Sequence, residues 1–432
     1  MSLRSLLSLS VVIAGLTGCS ATTKITNTAN TAPQQGAYSL EVTAQNLKQH
    51  NVAVLVSFSG GGTRAAALSY GVLKGMRDIE FSDKDGDYRL LDQITTISSV
   101  SGGSFTAAYY GLYNEEIFNQ YEDDFLYRDV SGSLLDIALS PTFWFSKDSR
   151  TAAAVNFYNQ ALFKDATFND MHDASPRIII NSTDLGGGVR FSFLQEYFDL
   201  ICSDVNDYSI ANAVAASSAV PIIFEPVVLQ NYSQCDNSFT SISNAKNPIY
   251  LDSTRDGLVS YSNKDKRPYV HLVDGGISDN LGLLAVYDLV KSQESRFQNL
   301  NDNIDTVIVI SVDASTNPDW NIDIKKSTPS AQSTLGAITD IQIHRYNDLV
   351  KSLVVKELNE WRNASSKREA YFIDINLNTA HESDDMNNIP TDFTLKPQQV
   401  EKLIQHGYDE IRSDPQLSEL FQSTPMLTSE AI

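Results

Sequence analysis

Apolar residues along this chain fall in short, nearly unbroken runs, separated by longer stretches with helical spacing. Val52-Ala53-Val54-Leu55-Val56-Ser57-Phe58-Ser59 is the first run and Ile94-Thr95-Thr96-Ile97-Ser98-Ser99 the second. Arg177-Ile178-Ile179-Ile180-Asn181, Tyr269-Val270-His271-Leu272-Val273, residues 306–312 and residues 371–375 continue the series. β-Branched runs that are apolar at successive positions predict strands buried on both faces of a parallel sheet. Helical patterns are predicted over 64–76, 105–113, 210–217, 281–291 and 334–361. Strand–helix alternation predicts an α/β fold, a three-layer α/β/α sandwich with a mostly parallel central sheet.

Two of the runs end in glycines. The first meets Gly60-Gly61-Gly62-Thr63-Arg64, and the second meets Val100-Ser101-Gly102-Gly103. Each reads as strand, tight turn, helix. Sites in open α/β sheets lie beyond the carboxyl ends of the strands, where both turns fall. The first turn offers bare backbone N–H groups at a helix N-terminus. The second lifts Ser101 onto a sharp corner, with small Ser99 before it and Gly102 and Gly103 after it, as a nucleophile elbow requires. A nucleophile and an anion-binding nest are the parts that acyl transfer needs.

A serine hydroxyl also needs a base. The six histidines are His50, His172, His271, His344, His381 and His406. His172 and His381 lie in polar stretches, and His271 reads as a core or supporting residue inside a buried strand. The better candidate is Asp274 in Val273-Asp274-Gly275-Gly276, at a strand's carboxyl end and on the same sheet edge as Ser101. The competing reading is a turn aspartate, since Asp-Gly is a common turn dipeptide. Neither Cys202 nor Cys235 has metal-ligand spacing, so a zinc site is not expected, and no metal or cofactor is called. Gly60–Gly62 lacks the Lys-Ser/Thr pair of a phosphate loop, which speaks against nucleotide binding.

The glycine turn, the serine elbow and the Asp-Gly-Gly motif, in this order, resemble patatin-like phospholipases. Asn181-Ser182-Thr183-Asp184-Leu185 and the stretch from Ala215 to Pro226 are similar to that family as well, and the likeness covers about residues 50–290. It implies a Ser–Asp dyad without histidine: Ser101 as nucleophile and Asp274 as base. It also implies an oxyanion hole from Gly60, Gly61 and Gly62, with Arg64 holding that loop or the developing charge. Two departures are Ser99 in place of the first elbow glycine and Ala65 where the glycine motif often has a sixth-position Gly. Asp is a weak base, with a reference pKa of about 3.9, so the glycine nest must carry much of the catalysis. The expected substrate is a phospholipid or lysophospholipid ester. The alternatives are a carboxylesterase or thioesterase on soluble acyl esters, or a non-catalytic acyl-binding lipoprotein.

Charge and cysteines add the setting. The formal net charge of −21 disfavours nucleic acid as a partner and gives no pull toward anionic lipid. Residues 1–18 read as a signal peptide, and Leu16-Thr17-Gly18-Cys19 looks like a lipobox that makes Cys19 a lipid anchor; an ordinary secretory signal is the alternative. A lipidated Cys19 implies a membrane-anchored lipoprotein of a bacterial cell envelope, on the periplasmic face of the outer membrane. In that compartment Cys202 and Cys235 are a candidate disulfide, the alternative being two free thiols. Residues 19–37 read as a flexible tether, 38–415 as the hydrolase domain with a surface insertion over 231–268, and 416–432 as a tail. Phe143-Trp144-Phe145 reads as an apolar loop that dips into lipid or lines an acyl pocket, or equally as a buried anchor.

Overall fold

A computed structural model describes residues 24–30, 38–40, 52–83, 86–133, 149–171, 176–221, 223–233, 235, 252–291, 304–316, 323–324, 326–378 and 386–422. The signal peptide, Cys19, Phe143-Trp144-Phe145, His50, His172 and His381 lie outside the described residues.

The strands are β1 (Val52–Phe58), a hairpin of β2 (Glu80–Asp83) and β3 (Gly86–Arg89), β4 (Ile94–Val100), β5 (Arg177–Asp184), β6 (Val189–Ser192), β7 (Val227–Gln230), β8 (Tyr269–Val273), β9 (Thr306–Asp313) and β10 (Glu369–Asn376). The main sheet runs β10-β9-β1-β4-β5-β8-β7, with β6 also on β5. From β10 to β5 every pairing is parallel. β6, β7 and β8 pair antiparallel.

The apolar runs fill two cores. Val54, Val56 and Phe58 of β1 and Ile308, Ile310 and Val312 of β9 enter one hydrophobic core. Ala53, Leu55, Val307 and Val309 enter the other, on the opposite face. Side chains alternate across a strand, so a strand with helices on both faces must be apolar at every position. Each fully buried aliphatic side chain contributes roughly 1.5–3 kcal/mol relative to exposure. The first core is covered by α1 (Gly62–Arg77), α2 (Gly102–Tyr113), α3 (Arg150–Tyr158), α4 (Ile210–Ser217) and, later in the chain, a helix over Pro397–Ser413. Between them follow α5 (Asp252–Val259), α6 (Gly276–Asp279), α7 (Leu283–Lys291) and α8 (Ala331–Asn363). The second core lies under α7 and α8. Pro397–Ser413 is α9 and Pro415–Gln422 is α10. The chain thus forms the expected α/β sandwich. No helix among the described residues is long and apolar enough to cross a membrane.

Four expectations change. β8 is not a parallel, doubly buried strand: it pairs antiparallel with β5 and β7, and Tyr269 and His271 face solvent. His271 is therefore no core residue. The second part of 231–268 is not a surface insertion, because Leu258 and Tyr261 are buried in the core. There Tyr261 Oη donates to the buried Asp184 Oδ2 at 2.8 Å, and Arg267 Nη2 donates to the same oxygen at 2.5 Å. Residues 24–30 of the tether dock on the domain. Asn27 Nδ2 donates to Ser203 Oγ and to Gln230 O at 3.0 Å each, and Gln230 N returns a bond to Asn27 Oδ1. The tail begins with α10, whose Leu417 is buried.

Candidate active site

Both glycine turns open at the carboxyl edge of the parallel strands. Ser101, directly after β4, has φ 47° and ψ −118°, a region that non-glycine residues rarely occupy. Such an outlier persists only where its surroundings fix it. The surroundings are steric and polar. Ser101 N–H donates to Ser217 Oγ at 2.8 Å, and Ser217 Oγ donates to Asn181 O at 2.6 Å. A Cβ on Gly102 would lie 2.0 Å from Gly62 O. The elbow therefore requires glycine where its helix crosses the neighbouring turn.

Ser101 is only 5% exposed, and its Oγ donates to Asp274 Oδ2 at 2.9 Å. Asp274 reaches it by an unexpected route. β8 runs against β5 and meets it at just two rungs, Thr183↔Val273 and Asp184↔Leu272. β4 pairs in parallel with β5 up to Val100↔Asn181. Continuing both registers by one residue brings Ser101 and Asp274 level, on either side of Ser182. The aspartate thus reaches the serine's edge because its strand comes in from beyond that edge and stops there.

The aspartate turn is held by four hydrogen bonds. Asp274 N donates to Ala219 O and Gly275 N to Ser217 O, both at 3.0 Å. Thr183 Oγ1 donates to Asp274 O at 2.8 Å. Gly276 N donates to Asp274 Oδ1 at 2.8 Å, which leaves Oδ2 for the serine. Burial raises the Asp274 carboxyl to about 6, against the lowering effect of the Gly276 and Ser101 hydrogen bonds. A carboxylate of higher pKa is a better proton acceptor for a hydroxyl.

The glycine loop divides in two. Gly60 N–H is already taken, donating to Asn280 O at 2.9 Å. It cannot also serve as an oxyanion donor, so the expectation for Gly60 is corrected. Gly61, at φ 139°, and Gly62, at φ 61°, have N–H groups with no acceptor among the described residues. They precede and open α1, whose N-terminal dipole favours an anion. The loop adjoins the serine, since a Cβ on Gly60 would sit 3.4 Å from Ser101 Cβ.

Arg64 is buried, and its bonds go to the backbone: Nε to Ala314 O at 2.9 Å and Nη1 to Ile389 O at 2.6 Å. Burial lowers its pKa to about 10, and Asp313 opposes that shift. Of its two expected roles, these bonds belong to holding the loop. Asp392 O adds a bond from Thr63 N at 2.8 Å.

Among the described histidines none bonds to Ser101 or Asp274. His271 is exposed, and His406 is bound to Asn376 O at 2.9 Å. Ser99 Oγ donates to Ile179 O and accepts from Ser104 Oγ, under the elbow. Cys202 and Cys235 form a disulfide with Cα atoms 5.5 Å apart. No three His, Cys, Asp or Glu side chains among the described residues are grouped to hold a metal ion. Sequence reasoning missed the supporting roles of Ser217, Asn181, Thr183 and Asn280. The first three lie in stretches that carried the family resemblance, whereas Asn280 gave no signal beyond its place six residues after Asp274.

A family model described as patatin-like phospholipase matches residues 56–287. Human GIVD cytosolic phospholipase A2 is similar at 13% identity and TM-score 0.44, over 94% of this chain and 66% of that one. VipD from Legionella pneumophila is similar at 13% identity and TM-score 0.34, over 86% and 67%. The chain thus spans about two thirds of the length of the solved structures it matches. No curated protein matches it.

Proposed function

The chain belongs to the patatin-like phospholipase family, and from that premise we propose that it is a serine hydrolase of lipid acyl esters. One observation carries the reading: the 2.9 Å bond from Ser101 Oγ to Asp274 Oδ2, on a strained corner beside two N–H groups with no acceptor among the described residues. Ser101 Oγ attacks the ester carbonyl carbon while its proton passes to Asp274 Oδ2. The N–H groups of Gly61 and Gly62 receive the oxyanion. As the ester C–O bond breaks, Asp274 returns the proton to the departing alkoxide, leaving acyl-Ser101. Water then attacks the acyl carbon, Asp274 takes its proton and passes it to Ser101 Oγ, and the free fatty acid leaves.

Burial of Asp274 supports this assignment, because a carboxylate in water would be a poor base for a hydroxyl. Backbone donors at buried Gly62 and half-buried Gly61 add to it, since losing a single oxyanion donor costs about 10²–10³ in rate in a well-studied protease. The substrate is proposed to be a phospholipid or lysophospholipid. The protein is proposed to be held at a bacterial envelope membrane through lipidated Cys19, which supplies the lipid access that a charge of −21 does not.

Labelling with a fluorophosphonate and mapping the modified peptide tests the nucleophile. The label belongs on Ser101, and a label elsewhere ends the assignment. Hydrolysis of phospholipid vesicles against nitrophenyl butyrate tests the substrate class; turnover of the short ester alone favours a soluble-ester hydrolase. For the anchor, Cys19→Ala is expected to leave an unprocessed precursor or to release the protein to the soluble fraction. An unacylated mature N-terminus well beyond Cys19 would refute it.

A further inference from the structure

We propose that Asn280 is a further catalytic residue: its carboxamide oxygen orients the water that hydrolyses the acyl-Ser101 intermediate. The inference rests on the hydrolase reading above and concerns only its second half.

Asn280 follows α6, and its side chain is fixed from one end. Asn280 Nδ2 donates to Ser315 Oγ at 3.1 Å, which also accepts from Asn347 Nδ2 at 3.1 Å. Ser315 N is held in turn by Asp313 Oδ1 at 2.9 Å. This chain of bonds fixes which way the carboxamide faces. Its oxygen therefore points the other way, toward the two catalytic loops. A Cβ on Gly60 would lie 2.7 Å from Asn280 Oδ1, and the same position is 3.4 Å from Ser101 Cβ. A Cβ on Gly276 would lie 3.0 Å from Asn280 Oδ1 and 3.0 Å from Asp274 Oδ1. The carboxamide oxygen is thus one short contact away from both members of the pair, over two positions kept empty of side chain.

This oxygen receives no hydrogen bond from any described residue, although Asn280 is half-buried and both its Nδ2 and its backbone carbonyl are engaged. A half-buried amide normally bonds through both ends. The oxygen is thus open to a donor that enters the site. Deacylation supplies one: water needs one acceptor for the proton it gives up, and a second to hold the proton it keeps. Asp274 Oδ2 is the first and Asn280 Oδ1 the second. The water oxygen forms a bond to the acyl carbon and one proton goes to Asp274. The C–O bond to Ser101 then breaks, Ser101 Oγ recovers that proton, and the carboxylic acid departs. Acylation uses no water and so makes no demand on Asn280 Oδ1.

This difference separates the role from simple support of the glycine loop. Asn280→Ala keeps the backbone carbonyl that accepts Gly60 N–H, so the loop stays in place. With nitrophenyl butyrate, the variant should release a burst of nitrophenol near one per site, then turn over up to about 10²-fold more slowly. Accumulating acyl-enzyme should lower kcat and KM together. The rate of fluorophosphonate labelling, which needs only Ser101, Asp274 and the donors, should be unchanged. Ser315→Ala, which frees the carboxamide to rotate, should show the same pattern more weakly. The proposal is overturned if labelling falls in step with turnover, which would make Asn280 a structural prop, or if turnover is untouched. Wild-type protein that neither labels nor turns over would sink the hydrolase reading itself, and this one with it.

Discussion

The parallel half of the sheet, from β10 to β5, and the antiparallel part formed by β6, β7 and β8 are built on different principles, and the Ser101–Asp274 pair straddles their seam. The parallel half is apolar on both faces and closed by helices. It supplies Ser101 and the glycine donors, positioned by backbone packed on backbone and by hydrogen bonds from Ser101 N, Gly60 N, Thr63 N and Arg64. In the antiparallel part β8 leaves one face to water, with Tyr269 and His271 exposed and Val270 and Leu272 buried, while β6 stays buried throughout. This part supplies Asp274, positioned by individual hydrogen bonds to Ala219, Ser217, Thr183 and Gly276. Added atoms are barred at Gly102 and also at Gly275, where a Cβ would lie 2.4 Å from Asn181 O, but the aspartate depends in addition on four separate hydrogen bonds. The two halves should therefore fail in different ways.

The largest effect should come from cutting the seam itself. Ser101→Ala and Asp274→Asn are each expected to abolish ester hydrolysis in folded protein, while His271→Gln, on the same strand, retains it. Initial-rate assays with circular dichroism as a folding control decide this, and a dead but folded His271→Gln would replace the dyad with a triad. Next come the glycines. Gly102→Ala puts a Cβ 2.0 Å from Gly62 O and should destabilise by several kcal/mol or prevent folding. Gly188→Ala, in the β5–β6 turn at φ 64° with nothing near, should cost only about 1 kcal/mol. Urea unfolding of both variants measures the contrast, and equal costs would erase the distinction between the halves.

The disulfide acts on the antiparallel side, near β7. Cys202→Ser with Cys235→Ser should lower stability by about 2–4 kcal/mol, given a sequence separation of 33. Rates on a short ester should be kept; a matching loss of activity would show that the clip reaches the catalytic edge. The smallest expected effect is a gain. Burial raises the Asp274 carboxyl above its ordinary value, to about 6, so ionising it in the fold is unfavourable. The wild type then loses stability as pH rises through about 6, while its activity rises over the same range as the carboxylate forms. Asp274→Asn should therefore be more stable than wild type by roughly 1–3 kcal/mol at pH 8 and equal to it near pH 4. Thermal melts at the two values test the sign.

The parallel half was legible in the sequence because its apolar runs encode burial on both faces. Both turns were legible because glycine marks the backbone corners. The direction of β8 was not. An apolar run of five residues carries no arrow, although the exposed Tyr269 and His271, alternating with Val270 and Leu272, were a period-2 signal of an antiparallel strand with one wet face. The engagement of Gly60 N–H by Asn280 O was equally hidden, because a backbone bond across 220 residues of chain leaves no trace in side-chain pattern. Residues 24–30 looked unburiable by composition, yet Asn27 docks by satisfying backbone groups rather than by apolar contact.

The loop that carries Gly61 and Gly62 is made early and finished late. Its arginine, Arg64, is held by carbonyls 250 and 325 residues further along the chain, and Thr63 N–H waits for Asp392 O. A chain still leaving the ribosome has its serine, its aspartate and its glycines long before it has the carbonyls that set the loop. During synthesis the protein is thus an unfinished tool. Its glycine loop cannot be set until Ala314, Ile389 and Asp392 have emerged, a delay written into the order of its residues.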